Sequence, residues 1–452
     1  MKGFDAQHED TANGSNGNNH VTKSFNGLYK FNPEPPHILR STIKNSPLSG
    51  ITFPSFISLL FHKRKSIQWL RYAHRLMALF SMSIFNSFLS IVEYIYILFL
   101  YVFHYSTMKL AKEDNLNTHP VFVIGHPRTG TTLLHSLLAL DKERFAICDT
   151  FMVGFPHCFL SFEAVGKFLF KGILSETRPM DNMKLHFDLP QEDELGTNLL
   201  SGLMVSPYTS LVFMKDEKEY RKYQCFKEGE VGDNERKSWI QSFRKLIWKI
   251  RVRDLFLKRK EGNMGRTKTP RQLVLKSPCH TGRVKLLLKL YPNAKFVFIH
   301  RNPYEVFLSG AHLASTTYGW MFLQSPSDHD LQNYILTQGE ILHNEYFDCR
   351  KDPKILNDRN CAEISFENLT KDPVKSMQEI YKKLGLDSFD PQVHSSYPMN
   401  LSRACEELKG YQRNKFKNVI LDDELIATIK KRWKKQFEVL GYSNTFPPNQ
   451  LQ

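Results

Sequence analysis

The stretch Val121–Ser136, VFVIGHPRTGTTLLHS, determines the fold. It opens with an apolar run that predicts a buried strand, and the leucine-rich part from Leu133 predicts a helix. Between them, Gly125–Thr132 has a GxxxxG frame. Its glycines let backbone N–H groups converge on an anion, next to the positive end of the helix dipole. The stretch therefore predicts a strand–loop–helix cradle for the phosphate end of a nucleotide-like ligand.

The loop lacks two parts that ATP hydrolysis needs. Thr131 stands where a nucleotide-hydrolase loop has its lysine, and the cation of this loop is Arg128. No apolar strand ends in an aspartate that would hold Mg²⁺, since the apolar run Lys295–His300 is followed by Arg301. An arginine pairs directly with phosphate oxygens through its planar guanidinium. The sequence therefore disfavours metal-assisted ATP chemistry, and we predict no metal.

Strand and helix patterns alternate around the loop, which is typical of an α/β fold. We predict a P-loop-type parallel sheet flanked by helices, with strands at Val121–Gly125, Leu273–Lys276, Lys295–His300 and Glu363–Phe366. The long insertion Asp149–Arg271 is predicted to be mainly helical. The last predicted helix, Asp422–Gly441, has apolar residues at spacings of three and four, which indicates core packing.

The composition predicts three segments along the chain. Residues 1–48 are polar and are expected to form a disordered leader. Residues 49–108 form a basic and hydrophobic, membrane-associating helical segment, and residues 109–445 form the α/β domain. In the middle segment, Leu76–Phe103 has Glu93 as its only charge and follows a basic stretch. At a rise of ~1.5 Å per residue, this N-terminal hydrophobic helix exceeds the ~30 Å hydrocarbon core of a bilayer.

Three arrangements of the hydrophobic helix stay open. The helix can cross a bilayer once, in the membrane of the Golgi or endoplasmic reticulum. The basic residues before it then favour an N-terminus on the cytoplasmic side. It can also lie on the cytosolic face of a membrane as a surface helix. In a third arrangement the helix packs on the α/β domain. Asn86 and Glu93, with several serines and tyrosines, weaken the span, and both the second and the third arrangement explain them. The first two arrangements predict a membrane-associated protein.

The charge balance favours anionic partners. The 452 residues include 61 Lys+Arg and 46 Asp+Glu, which gives a formal net charge of +15. This charge suits phosphates, sulfates or acidic lipid headgroups. We predict no nucleic-acid partner, because the chain has neither a recognised nucleic-acid motif nor interleaved aromatic and basic residues. The seven cysteines are scattered without a CxxC pair, so we predict no structural metal site.

Two motifs together resemble one enzyme family. Pro127–Thr132, PRTGTT, resembles the 5′-phosphosulfate loop of sulfotransferases that use 3′-phosphoadenosine 5′-phosphosulfate (PAPS). Arg301 and Ser309, in HRNPYEVFLS, match the spacing of the arginine and serine that bind the 3′-phosphate in that family. The resemblance covers roughly Pro120 to Gly441. It extends to the blocks LPQEDE, SPY, LVLKSPCH and SFENLTKDP, which look like the branch that acts on small or lipid-like alcohols.

The resemblance implies PAPS as co-substrate and a sulfotransferase domain at 109–445. It assigns cofactor binding to Arg128, Thr129, Gly130, Thr131, Thr132, Arg301 and Ser309. Arg128 is also implied as catalytic, since it can follow negative charge from the sulfonate to the leaving phosphate oxygen. The chain departs from the cytosolic members at Arg128, where they have a lysine. Their glycine-rich C-terminal cofactor segment is not visible, and Lys409–Lys417 is a candidate replacement.

The acceptor is implied to be a hydroxylated small molecule or lipid, whose proton needs a base within hydrogen-bond reach. Two candidates stay open. One is His280, just beyond a predicted strand, and the other is the acidic cluster that begins at Glu192 and ends at Glu194. The alternatives to this function are a carbohydrate or protein sulfotransferase, a kinase with a degenerate P-loop, and a membrane-tethered nucleotide-binding protein without activity.

Overall fold

The computed structural model describes residues 22–24, 26–31, 48–113, 119–172, 174, 177–178, 181, 183–260, 270–390, 395–409 and 419–446. Strands β1 to β7 are Thr22–Lys23, Val121–Ile124, Phe145–Ile147, Gln272–Lys276, Lys295–His300, Cys361–Ser365 and Val419–Ile420. Helices α1 to α9 are Phe53–His62, Ala73–Phe103, Tyr105–Glu113, Thr131–Ala139, Thr150–Gly154, Phe159–Leu169, Asp193–Leu200, Glu217–Tyr220 and Asp233–Lys260. Helices α10 to α17 are Val284–Leu290, Pro303–Thr317, Asp328–Arg350, Phe366–Lys371, Pro373–Leu384, Tyr397–Lys409, Asp423–Arg432 and Lys434–Leu440.

Five strands form one parallel sheet in the order β3–β4–β2–β5–β6. β2 lies at the centre, where Val121 is opposite Val274 of β4 and Lys295 of β5. Every residue of β2 is buried, as expected for a strand covered on both faces. Because the strands are parallel, the segments that follow β2, β4 and β5 meet at one edge of the sheet. The predicted P-loop-type parallel sheet flanked by helices is confirmed.

Within the five-stranded sheet, β3 and β6 differ most from the prediction. β3 was not predicted, because three residues are too few to show a period in the sequence. The strand expected at Glu363–Phe366 is β6, and it ends at Ser365. The Ser365 hydroxyl accepts a hydrogen bond from the Asn368 N–H at 3.1 Å and so caps α13, which begins at Phe366.

The segment between β3 and β4 is mainly helical, as predicted. Its longest helix, α9, packs against α7 and buries Trp239, Phe243 and Leu246 completely. This contact matters for the site, because α7 begins with the acidic residues that follow Glu192. The insertion therefore holds the start of α7 against the sheet.

The predicted final helix is two helices, α16 and α17, which are separated at Trp433. The Trp433 indole is buried and donates a hydrogen bond to the Leu336 carbonyl at 2.9 Å. Ile429 and Phe437 are buried on the same side, so the apolar stripe is core packing, as expected. The break allows the indole to lie against Gly339, where a side chain would clash with it.

Part of the predicted leader is packed on the domain. Residues 1–21, 25 and 32–47 lie outside the described residues, but β1 pairs in parallel with β7. Tyr29 and Phe31 are buried, and the Tyr29 N–H donates to the Gln332 Oε1 at 2.8 Å. The prediction of a disordered leader therefore fails for residues 22–24 and 26–31. Two aromatic side chains anchor a segment whose overall composition is polar.

Among the described residues, α2 is the one helix long and apolar enough to cross a membrane by length and composition. It packs against α1 and α6, and its end reaches the cluster of Leu100, Val252 and Leu255 with α9. Asn86 and Glu93, which weaken a span, point toward the domain and are buried. The boundary predicted between residues 108 and 109 falls inside α3.

Three histidines lie in the core around the central strands. Burial lowers the pKa of His126 and of His135 to about 3, and that of His343 to about 4, from the ordinary 6.5. These side chains are therefore neutral in the folded protein throughout the physiological range. In the unfolded chain they take up protons as the pH falls below 6.5.

We predict that acid destabilises the fold through these residues. Between pH 7 and pH 5 the unfolded chain binds protons that the folded chain does not, so each buried histidine lowers the free energy of unfolding by about 2 kcal/mol. Urea unfolding at both pH values should show that His135→Leu loses about 2 kcal/mol less than the parent protein. His329→Gln, at an exposed position, is the matched control. Equal losses in all three proteins would contradict the prediction.

Candidate anion-binding and catalytic site

The loop after β2 has an unusual backbone. Gly125, Arg128 and Gly130 have φ values of +151°, +74° and +99°. A side chain at Gly130 would lie against the Phe366 ring, and one at Gly125 would meet the Ile299 carbonyl. Only glycine fits these two positions, because they combine left-handed backbone with close packing. The loop is therefore held tightly against β5 and α13.

Helix α4 begins directly at the loop. Gly130 is its N-cap and Thr131 its first residue, so the N–H groups of the first turn have no partner within the helix. Thr131 and Thr132 add hydroxyl groups at the same end. Such an N-terminus attracts anions through its N–H groups and the helix dipole. This end of α4 has the strand–loop–helix geometry that the sequence predicts for the cradle.

Arg128 reaches from the loop to α11. Its Nε donates a hydrogen bond to the Ser309 Oγ at 2.9 Å, and its Nη1 lies 3.0 Å from the Asp181 Oδ2. A non-glycine residue in the left-handed region costs about 1–2 kcal/mol, so the surrounding structure imposes this conformation. The contact brings together two residues that lie 181 positions apart in the sequence.

Arg301 follows β5 and stays close to the same loop. Its Nε donates a hydrogen bond to the Oε2 of Glu305, in the first turn of α11, at 2.6 Å. Its guanidinium lies 4.4 Å from the centre of the Phe366 ring, which also packs on Gly130. Phe366 therefore links Arg301 to the loop. The sequence block SFENLTKDP contains this phenylalanine but does not indicate its role.

Lys276 ends β4 beside the start of α4. Its Nζ lies 3.4 Å from the Thr132 Oγ1 and 2.8 Å from the Glu192 Oε1. The other Glu192 oxygen accepts a hydrogen bond from the Tyr208 hydroxyl, and that hydroxyl lies 3.4 Å from the Ser277 Oγ. These residues join the anion cradle to the N-cap of α7.

Charge pairing fixes the protonation of this group. Burial alone would raise the pKa of the Glu192 carboxyl, but the Lys276 ammonium and the Tyr208 hydroxyl lower it below its ordinary value. Burial lowers the pKa of Lys276, although Glu192 opposes that shift. Glu192 is therefore an ionised carboxylate at neutral pH, and it can accept a proton.

The acidic cluster predicted at Glu192–Glu194 divides into two parts. The Glu192 side chain is 22% exposed, whereas those of Asp193 and Glu194 are 0% exposed. The Glu194 carboxylate receives both guanidinium arms of Arg283, at 2.5 and 3.0 Å. Asp193 and Glu194 therefore fix α7 to the core, and Glu192 alone faces the cradle.

His280 lies in the core rather than at the surface of the site. Its side chain is 0% exposed, and its Nε2 lies 2.7 Å from the Asp193 Oδ1. Burial opposes ionisation of Asp193, but the imidazole lowers the pKa of this carboxyl below its ordinary value. The ring packs edge-on against Phe122 and Phe243. These contacts separate His280 from any acceptor that approaches the loop.

One group of carboxylates has the spacing of metal ligands. Oxygens of Asp149, Glu163 and Asp188 lie within 4.8 Å of one another. Lys167 and Arg253 both lie 2.5 Å from Glu163, and Arg253 also lies 3.4 Å from Asp149. Lys167 and Arg253 already pair with these three acids, so the group is an ion-pair network.

Several site residues were not assigned from the sequence. Thr281 fixes the start of the loop, since its Oγ1 accepts from the Gly125 N–H at 2.8 Å and donates to the Gly125 carbonyl at 3.1 Å. Tyr208 belongs to the SPY block, which gave a signal of family likeness without a role. Asp181 lies in a polar stretch with no recognisable pattern.

Comparison with known proteins gives consistent matches. The model of the sulfotransferase family matches residues 120–391. Omega-hydroxy-beta-dihydromenaquinone-9 sulfotransferase Stf3 of Mycobacterium bovis is 28% identical over 398 residues, which are 88% of this chain and 92% of that protein. The Stf3 of Mycobacterium tuberculosis matches to the same extent. The structure of sulfotransferase STF1 from Mycobacterium tuberculosis is 14% identical and has a TM-score of 0.51, covering 90% of this chain and 100% of its own. That likeness concerns the fold.

We predict that Gly130→Ala weakens binding of adenosine 3′,5′-bisphosphate at least about 10-fold, because the new Cβ strains the backbone and presses on Phe366. Isothermal titration calorimetry measures the affinity. Gly172→Ala is the matched control, since a Cβ there meets nothing within 4 Å. An unchanged affinity in a well-folded Gly130→Ala protein would contradict the account of the cradle.

Proposed function

The chain belongs to the sulfotransferase family, and we propose that it transfers the sulfuryl group of PAPS to the hydroxyl of a lipid-like acceptor. The sulfuryl donor of the family is PAPS. The observation that carries the proposal is the contact between Arg128 and Ser309. It supports the proposal because the two proposed halves of the nucleotide site are then neighbours.

In the proposed reaction, the loop and the start of α4 bind the 5′-phosphosulfate end of PAPS. The N–H groups of Gly130, Thr131 and Thr132 and the hydroxyls of both threonines supply donors, with Thr129 holding the turn through its bond to the His126 carbonyl. Arg301 and Ser309 bind the 3′-phosphate end. Arg128 lies between the two ends, where its charge stabilises the leaving phosphate oxygen.

Glu192 is the proposed general base. The acceptor oxygen forms a bond to sulfur, the bond between sulfur and the phosphate oxygen breaks, and the acceptor proton passes to the Glu192 carboxylate. The leaving group is adenosine 3′,5′-bisphosphate. Lys276, between Glu192 and Thr132, is placed to balance negative charge on the leaving side. Sulfuryl transfer resembles phosphoryl transfer in its loose transition state, so a weakly basic carboxylate is sufficient.

The geometry argues for Glu192 and against His280 as the base. A base must come within hydrogen-bond reach of the proton that it removes. Glu192 is partly exposed beside the cradle, whereas His280 is fully enclosed and paired with Asp193. We therefore propose that His280 positions α7 through Asp193 and does not touch the acceptor.

The lipid-like acceptor is proposed from the name of a relative and from the hydrophobic helix. Stf3 of Mycobacterium bovis is a sulfotransferase of omega-hydroxy-beta-dihydromenaquinone-9, as its name states. This chain has a long apolar helix beside its catalytic domain, which suits an acceptor that is dissolved in a membrane. Incubation of the protein with labelled PAPS should transfer label to alcohols in a lipid extract. Transfer to carbohydrate or protein alone would exclude the lipid acceptor.

We also propose that the protein is membrane-associated through α2. An apolar helix with a basic flank is compatible with two arrangements. One is a single span in the Golgi or endoplasmic reticulum with a cytoplasmic N-terminus, and the other is a peripheral position on the cytosolic face. Protection of residues 109–445 from protease in sealed vesicles would indicate a lumenal catalytic domain. Digestion there would indicate a cytosolic one.

We predict that Glu192→Gln lowers kcat about 100-fold or more, because the amide cannot accept the proton. The affinity for adenosine 3′,5′-bisphosphate should change little, since the cradle is retained. Steady-state transfer of labelled sulfur and calorimetry measure the two quantities. Glu192→Asp, which keeps the charge, should recover part of the activity.

His280→Asn gives the opposite expectation and is the matched comparison. The variant leaves Asp193 buried without its partner, so the free energy of unfolding should fall by about 3 kcal/mol. Turnover by the folded fraction should stay within about 3-fold of the parent protein, because a positioning residue supplies none of the 10²–10⁴-fold of a general base. Loss of turnover in His280→Asn, with activity retained in Glu192→Gln, would assign the base to His280 instead.

A further inference from the structure

Helix α2 has Arg75, Asn86 and Glu93 on the face that packs against the domain. Near its start, the Arg75 Nη1 donates to the Phe322 carbonyl at 2.7 Å. Near its middle, the Asn86 Nδ2 donates to the Ser49 carbonyl at 2.5 Å. Further on, Glu93 lies 2.6 Å from the buried Lys249. The helix is therefore attached to the domain along its length.

The opposite face of α2 is apolar and exposed. It carries large hydrophobic side chains that are each between 46% and 73% exposed, at spacings of three and four: Met77, Phe80, Ile84, Phe88, Ile91, Ile95, Leu98 and Val102. This spacing places them on a single stripe of the helix, ~38 Å long. A surface helix of a water-soluble protein has the reverse arrangement, with the apolar stripe inward.

Neighbouring helices extend this outward stripe. Phe53 of α1 is exposed and its ring packs edge-on against Phe80, with the ring centres 6.0 Å apart. At the end of α6, Phe168 is 82% exposed and Leu169 is 59% exposed. We call the outward stripe of α2, with Phe53 of α1 and these two residues of α6, the apolar face. Since α6 packs against α2, these residues add to the exposed apolar surface of one region, and surface of this extent marks an interaction site.

Most of the charged residues that flank α2 in the sequence are basic, although α3 ends with Glu113. Arg64, Lys65 and Arg71 are exposed before α2, and Lys109 and Lys112 are exposed after it. Between Ser49 and Lys112 the sequence has one acidic residue, Glu93, and its side chain is buried. A surface that is apolar in its centre and basic at both ends complements a bilayer with anionic headgroups.

We infer that the apolar face docks on an anionic bilayer with α2 lying in the plane of the membrane surface. A span would place α2 across the hydrocarbon core, and the domain attached along its inward face would have to enter the bilayer with it. Detaching the domain would expose Arg75 and Glu93 and break the buried pair with Lys249. Docking in the plane retains every one of these contacts.

This inference rests on the proposed function for its consequence. Helix α7 has Glu192 at its N-cap, and Leu199 near its other end lies against Gly50, next to the main-chain contacts of Asn86. A helix of 8 residues is ~12 Å long. The proposed base is therefore about one short helix from the segment Ser49–Ile51, which contacts α2, so docking in the plane would hold the site close to the membrane that contains the acceptor.

Vesicle flotation of the full-length protein tests the docking. The parent protein should float with vesicles of phosphatidylcholine and phosphatidylserine. Phe88→Glu combined with Ile95→Glu should lower the partition coefficient about 10-fold or more, since both side chains leave the interface. Met399→Glu is the matched control, because Met399 is 60% exposed on α15 and lies outside the apolar face. The double variant Arg64→Glu with Lys65→Glu should bind these anionic vesicles more weakly, whereas its binding to uncharged vesicles should not change.

Depth measurements separate docking from a span. Ile84, Ile91 and Leu98 are each replaced by a fluorophore-labelled cysteine, in a background with Cys225→Ser and Cys405→Ser, since the other five cysteines are buried. Nitroxides at shallow and deep positions of the lipid chains then report depth. Docking in the plane predicts the same shallow depth at all three positions. A span predicts that Ile91 is the deepest.

Three results would overturn the inference. The first is vesicle binding that persists in the double variant Phe88→Glu with Ile95→Glu. The second is a label at Ile91 that lies deeper in the bilayer than the labels at Ile84 and Leu98. The third is a dimer, detected by sedimentation and formed through the apolar face, in a protein that does not bind vesicles. Calorimetry with adenosine 3′,5′-bisphosphate in the same variants reports the proposed catalytic site independently. If the variants still bind the nucleotide but no longer float with vesicles, the proposed function is unaffected. If the protein floats with vesicles but does not bind the nucleotide, the result contradicts the proposed function and not the docking.

Discussion

The contact between the Arg128 guanidinium and the Ser309 hydroxyl depends on the parallel alignment of β2 and β5, and the proposed reaction depends on the contact. Each strand ends at the same edge of the sheet, so the loop after β2 and helix α11 after β5 face one another. Gly125 and Gly130 let the loop approach β5 and α13 closely enough for Arg128 to reach across. A loop with side chains at these glycines would stand away from β5, and Arg128 would separate from Ser309.

The second constraint is the attachment of α7. Asp193 with His280 and Glu194 with Arg283 are pairs without solvent exposure. Buried pairs of this kind add little net stability, but removing one partner is strongly destabilising. Their main effect is therefore to fix the position of α7. They fix the start of α7, and Glu192 is thereby held against Lys276 beside Thr132. In the proposed reaction, the base is therefore positioned by charged residues that lie in the core.

Much of the fold was predictable from local sequence. Apolar runs longer than three residues gave the central strands, and the glycine frame with Arg128 gave the cradle. Which acid of the cluster faces the loop was not predictable, because Glu192, Asp193 and Glu194 are adjacent and alike in sequence. Only packing shows that two of them point into the core. The same limit applies to α2. In the sequence, Asn86 and Glu93 weaken the prediction of a membrane span, and in the structure they contact the domain. It applies also to Tyr29 and Phe31, which anchor a polar segment.

A double-mutant cycle on the affinity for adenosine 3′,5′-bisphosphate tests the central claim most directly. Calorimetry compares the parent protein with Arg128→Ala, Ser309→Ala and the double variant. If the two residues from neighbouring strands form one site for one ligand, their effects are not additive, and the coupling energy is about 1 kcal/mol or more. Effects that add to within about 0.3 kcal/mol, or affinity that neither variant changes, would contradict the account.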